Sequence, residues 1–274
     1  MALESENSSL DWLCLVLAPA VLASMELFHP AHFTHAPGMY AYLSAARPYA
    51  PAFEALGYSG PHWWVALHLI QLPMLALVAL GLWRLVDGVS EGVAGLAARL
   101  SRAGAFVFAI LYTALDSIGG VGLGRSILDL EAMRAAGSLT PEEAAGAVKL
   151  LDAVWVDPVT GGVGSFVSLG GSWAAFVAAA AAAFALGASR RAPWPALALL
   201  LFFGWELQIS HAAPHGPAAF ASLMAAALWL RLEPRLRVFS ARPGSAPSEA
   251  VGASFSVGER ILVDRTIPLD RKTL

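Results

Sequence analysis

Long apolar runs separated by short polar breaks set the pattern of this chain. They lie near residues 10–28, 63–86, 103–124, 166–188, 194–213 and 216–232. At 1.5 Å per helical residue, each is long enough, or nearly so, to cross a hydrocarbon core of ~30 Å. The pattern therefore predicts an all-α, polytopic integral membrane protein of about six transmembrane helices. The fourth run contains the alanine series Ala178 to Ala183, whose small side chains suit close helix packing. The sixth is the shortest.

Two of the breaks are long enough to hold structure of their own, loop one at 29–62 and loop three at 125–165. In loop three, "SLTPEEAAGAVKLLDAVW" carries helix-start signals: Thr140 as N-cap, Pro141 at the first helical position, Glu142 and Glu143 in the first turn. Ala144, Val148, Leu151 and Val154 then recur at helical spacing, which predicts a helix lying on the outer face of the bundle. In loop one, "APGMYAYLSAARPYAPAF" reads as short helical pieces broken by Pro37, Pro48 and Pro51. Residues 1–232 thus form the bundle with its structured outer loops, and residues 233–274 a polar cytoplasmic tail. Within that tail "ARPGSAPSEAVGAS" reads as a linker, while "ERILVDRTIPLDRKTL" could form a short strand or meet a partner.

Composition agrees with the pattern. Of 274 residues 57% are hydrophobic and 14% charged, with a mean hydropathy of +0.62; soluble domains average about 25% charged. A net charge of -3 gives no reason to expect nucleic acid as a partner. The single cysteine, Cys14, cannot form an internal disulfide, and no CxxC or Cys/His zinc spacing occurs. The N-terminal "MALESENSSLDW" lacks the basic region of a secretory signal, so the first run is expected to be retained as a helix.

Arginine placement predicts orientation. Six spans would put Arg84, Arg99, Arg102, Arg190, Arg191, Arg231, Arg235, Arg237 and Arg242 on one side, and only Arg47, Arg125, Arg134 and Lys149 on the other. The positive-inside rule then places both termini in the cytoplasm of a cell bounded by this plasma (inner) membrane.

In that frame the ionisable residues of the spans gather near one surface. Glu26 and His29 close the first run, and His68 lies roughly 8 Å below the boundary in the second. Asp116 and Glu206 lie in the outer thirds of the third and fifth runs. His211 and His215 flank Pro214, where a continuous helix is doubtful. All fall within roughly 12 Å of the outer surface. Glu26, Asp116 and Glu206 are the acids well inside the spans, and Arg125 is the nearest cation. Carboxylates at such depth need a partner, a bound cation or a proton.

Glu26 and His29 share a face at i,i+3; His68 shares one with Trp64 and Gln71, and Asp116 with Tyr112. Each group also has a purely structural reading, as an interfacial pair or an interhelical hydrogen bond. His32, His35 and His62 read as solvated loop residues. Trp63, Trp64 and Trp155 read as an interfacial aromatic belt. "GGVGLG", Gly119 to Gly124, has no lysine and follows no strand, so it reads as close packing or an unwound helix end.

Carboxylates with imidazoles are the ligand types of a zinc, iron or manganese site. Glu26, His29, His68 and His211 are the expected ligands, with Asp116 and Glu206 as acid/base. Facing histidines could hold a haem instead, but haem leaves the acids unexplained. The histidine of the second run, the aspartate of the third and "SHAAPH" together are similar to the CREST superfamily of membrane hydrolases. That resemblance implies zinc on His68, His211 and His215 and a water activated with the help of Asp116. The chain departs from the family in three ways. It has six runs rather than seven, Trp64 stands where the family has a serine, and its polar groups face outward.

The first functional expectation is a metal-dependent membrane enzyme with an outward-facing site, acting on a lipid or other hydrophobic small molecule. The alternatives are a proton- or cation-linked transporter and a structural or assembly subunit. The missing inverted repeat and the lack of matching charges in the cytoplasmic half count against transport.

Overall fold

A computed structural model describes residues 9–29, 38–44, 60–162 and 164–240, with side chains as far as residue 231. The tail from residue 241, the histidines His32 and His35 and the proline-broken part of loop one fall outside the described residues. Among the described residues every element is helical, and no strand occurs. We number the helices α1 (Ser9–Glu26), α2 (Met39–Ser44), α3 (Gly60–Leu85), α4 (Gly92–Ala135), α5 (Pro141–Trp155), α6 (Phe166–Ala188), α7 (Trp194–Ile209) and α8 (His215–Ser240).

Six of them close a ring in the order α1, α3, α4, α6, α7, α8 and back to α1. Helices α1, α3, α4 and α6 are long and apolar enough to cross a membrane, and α7 is a shorter apolar helix. The chain is a polytopic helical membrane protein. Its outside explains why: Leu96, Leu100, Phe106 and Ile110 of α4, Trp173 and Phe184 of α6 and Phe202 of α7 are all exposed. A continuous apolar exterior of this kind suits lipid rather than water.

The tightest seam runs between α4 and α6, where the alanine run does what its side chains permit. Ala178, Ala179, Ala182 and Ala183 are buried, and a Cβ added at Gly104 would stand 2.9 Å from the Ala174 carbonyl oxygen and the Ala178 nitrogen. About a quarter-turn round α6, Gly204 of α7 sits 3.0 Å, measured from such a Cβ, from Ala179. Backbones this close gain dispersion contacts that lipid tails cannot replace.

Helix α4 differs from the expected span of 103–124. It starts at Gly92 and continues to Ala135, so what read as the first part of loop three is helical. The continuation has a reason: Leu123, Ile127 and Leu130 recur at i, i+4 and i+7 and are buried against α2 and α5. The glycine-rich stretch does not unwind the helix. Asp116–Gly122 instead forms a π-helical segment, a wide turn that keeps its backbone bonded.

At this end α2 and α5 cap the ring. The helix start expected at Thr140 takes the form of a reciprocal capping box, with Glu143 N–H donating to Thr140 Oγ1 at 3.2 Å and Thr140 N–H to Glu143 Oε2 at 2.8 Å. Ala144 and Leu151 turn inward, and Met39 and Leu43 of α2 pack beside them. The opposite end is laced by arginine. Asp11 of α1 accepts from Arg84 of α3 at 2.7 Å and pairs with Arg231 of α8 at 3.1 Å, while Arg191 donates to the carbonyls of Asp87 and Gly88.

Candidate metal centre

Beneath the α2/α5 cap the buried polar side chains collect from separate helices. Glu26 (0% exposed), His68 (4%) and Asp116 (1%) come from α1, α3 and α4. His29 arrives because α1 ends in tight turns, Phe28 N–H bonding Met25 O at 3.0 Å and His29 N–H bonding Glu26 O at 3.2 Å. His211 arrives from the turn at 210–214, which breaks α7 from α8 where Pro214 predicted a bend.

One ligand atom each of Glu26, His29 and His211 lies within 4.8 Å of the others. Tetrahedral ligands at ~2.0–2.1 Å from a zinc ion stand roughly 3.4 Å apart, so a small contraction would close the triad on an ion. His68 borders it: its ring centroid is 5.5 Å from that of His29, which is itself 4.7 Å from that of His211. His68 Nδ1–H donates to the Trp64 carbonyl at 2.7 Å, because a carbonyl only accepts, and the lone pair of the neutral ring is thereby left on Nε2. A backbone-oriented imidazole of this kind is how proteins prepare a histidine for a metal.

The carboxylate side is polar but incompletely paired. Gln71 donates its amide to Glu26 Oε1. Glu26 Oε2, Gln71 Oε1 and Asp116 Oδ2 have no hydrogen-bond partner among the described residues. Neither Glu26 nor Asp116 belongs to an ion pair there, and Arg125 is spent on Asp129 at 3.4 Å, away from both. Asp116 is within electrostatic reach of Glu26. Buried acceptors left this way are costly, and a cation or a proton would relieve them.

A small cavity opens beside the imidazoles, lined by His29, His68, His211, Trp64, Leu115, Gly119, Gly120, Trp155, Gly162 and Ser168. Its volume is ≈ 20 Å³ on the scale where one water needs roughly 10–15 Å³. That is room for an ion or a water. Trp64 and Trp155, 5.9 Å apart and near-perpendicular, roof it.

Several expectations meet this geometry and some do not. Glu26, His29 and His211 come together with His68 against His29, and Asp116 is within electrostatic reach of Glu26. Glu206 is bonded instead to His215, Oε2 to Nδ1 at 2.8 Å, so neither residue is part of the triad. The set His68, His211 and His215 implied by the hydrolase resemblance is therefore not the set that converges. Trp64 is no belt residue; it is 1% exposed, and its indole N–H donates to the Gly119 carbonyl at 3.1 Å. Gly120 lies directly against the His68 ring, where a Cβ would collide with it. Close packing is thus the work of "GGVGLG". Gly162 and Ser168 were not legible as lining residues, since only the path of the chain after α5 carries them there. No match is found with protein-family descriptions, curated proteins or solved structures.

Proposed function

We propose that this protein is a metal-dependent membrane enzyme whose centre is built from Glu26, His29 and His211, with His68 beside it. The observation that carries the reading is the convergence of a buried carboxylate and two imidazoles within 4.8 Å, from α1 and the α7–α8 turn. One carboxylate and neutral imidazoles suit zinc, iron or manganese. Bound there, such an ion would act as a Lewis acid and lower the pKa of a water.

The chain's own residues divide the remaining work. Gln71 fixes Glu26 through Oε1 and leaves Oε2 open. Trp64 orients His68 through its carbonyl. Asp116 would hold or release a proton as the acid/base, a role supported by its burial and its unpartnered Oδ2. Trp64 and Trp155 keep bulk water out. The cavity takes only the reacting group of a lipid or other hydrophobic molecule, whose apolar remainder would stay in the bilayer around the ring. Arginine distribution supports a site facing outward, with the arginine-laced end and both termini in the cytoplasm.

Metal analysis of the purified, detergent-solubilised protein tests the reading. Near-stoichiometric transition metal is expected, with activity lost on chelation. Unpartnered buried acids are also what a proton-linked transporter would carry. Folded, functional protein without metal would favour that second reading.

A further inference from the structure

Glu206 and His215 draw attention because they form a carboxylate–imidazole pair next to the metal triad without joining it. Glu206 stands in the last turn of α7 and His215 is the first residue of α8. Their bond, 2.8 Å from His215 Nδ1 to Glu206 Oε2, therefore ties together the two ends of the turn that bears His211. Other contacts tighten the same turn. Ala212 N–H donates to Ser210 Oγ at 3.1 Å, Ser210 N–H to the Glu206 carbonyl at 3.1 Å, and Gly216 N–H to the Ala212 carbonyl at 3.0 Å. The His211 carbonyl crowds Gly216 so closely that no Cβ fits there. Ala212 is buried, and the His211 ring stands edge to face with His29.

We infer that Glu206 and His215 are positioning residues, a clasp across the turn that holds His211 in place for the metal. This rests on the proposed metal centre. It also gives Glu206 a different task from the ligand or acid/base role that its residue type suggests. Without the clasp the turn keeps its backbone and serine bonds alone, and His211, carried by that turn rather than by a helix, gains freedom. Supporting hydrogen bonds around metal ligands are typically worth about 10–100-fold in metal affinity.

The test uses full-length protein in detergent, stripped of metal and titrated with cobalt(II), whose visible absorption reports the ligand set. Hydrogen exchange of residues 210–216 is measured in parallel without metal. Glu206→Ala and His215→Ala should each weaken cobalt binding by about 10–100-fold and speed exchange in that segment. Glu206→Gln should restore both, because its amide oxygen still accepts from His215 Nδ1–H. A Glu206→Gln protein as impaired as Glu206→Ala overturns the clasp, since the carboxylate itself would then be required. Unchanged exchange in Glu206→Ala overturns it too. Wild-type protein that binds no cobalt would sink the metal reading alone, and the exchange measurement would still decide the clasp.

Discussion

His29 and His211 meet edge to face with ring centroids 4.7 Å apart, one closing α1 and the other in the turn before α8. Neither is adjacent to the other in the chain, and ring closure between α8 and α1 is what joins them. With Glu26 they make a group of three donors drawn from two distant segments.

If that group is a metal centre, His29→Ala and His211→Ala should each leave the purified protein well below stoichiometric metal. Helix content by circular dichroism should stay at the wild-type level, because neither imidazole belongs to the apolar core. Elemental analysis reads the outcome directly. Full metal content in both variants would remove the triad as its site.

Gly120 is a sharper test of architecture. A Cβ there would meet the His68 ring, itself 4.2 Å from the Trp64 indole by centroid. Gly120→Ala should therefore cost about 1–3 kcal/mol by overpacking and displace His68. A thermal melt in detergent should show the loss, and activity should fall with it. Gly146→Ala, inside α5 where an added Cβ meets nothing within 4 Å, is the control and should leave activity unchanged and the melt no lower than wild type.

The helical bundle was legible because lipid-facing and core-facing positions are both apolar, so the runs stand out whatever their partners. Span α6 agrees at both ends with its run, 166–188. The start of α5 was legible because its signals are local, Thr140, Pro141, Glu142 and Glu143 being four consecutive residues. The extent of α4 was not. Its tail is held by Leu123, Ile127 and Leu130 against α2 and α5, and only tertiary packing decides whether such a stretch is helix or loop. The site was half legible. Depth along each span grouped Glu26, His68, Asp116 and Glu206, but depth says nothing about which way a side chain turns. Glu206 turns to His215; Glu26 turns to His29 and Gln71.

Orientation is open to a labelling test. With the α2/α5 cap proposed to face outward, cysteines introduced at Ser44 and Ser138 should react with an impermeant maleimide on intact cells. One at Ser189, which follows α6 at the arginine-laced end, should not. Cys14 is buried and should give no background. Labelling at Ser189 alone would invert the protein and turn the site inward.

The cap should also be the acid-sensitive part of the molecule. Glu143 is held below the ordinary carboxylate range by the Thr140 backbone N–H and then by its hydroxyl. Asp157, which follows α5, is likewise lowered by the backbone N–H groups of Thr160 and Val159, 2.8 and 2.9 Å from Oδ1. A carboxylate whose pKa is depressed on folding contributes stability that is fully present above its unfolded pKa and is lost as pH falls through the folded value. Both groups have ordinary pKa values of about 4, so the contribution is intact at neutral pH and fades below about pH 4. Protection factors for hydrogen exchange in α5 and in the turn at 157–162, corrected for the slower intrinsic exchange in acid, should therefore fall on acidification to about pH 3, ahead of those in the α4–α6 seam. Because Gly162 lies against Trp155, loosening of that turn should also change Trp155 fluorescence, read against a Trp155→Phe control. Glu143→Gln and Asp157→Asn should each make the cap looser already at pH 7 and flatten its pH response. A cap equally protected at pH 7 and pH 3 would show that these two carboxylates do not hold it.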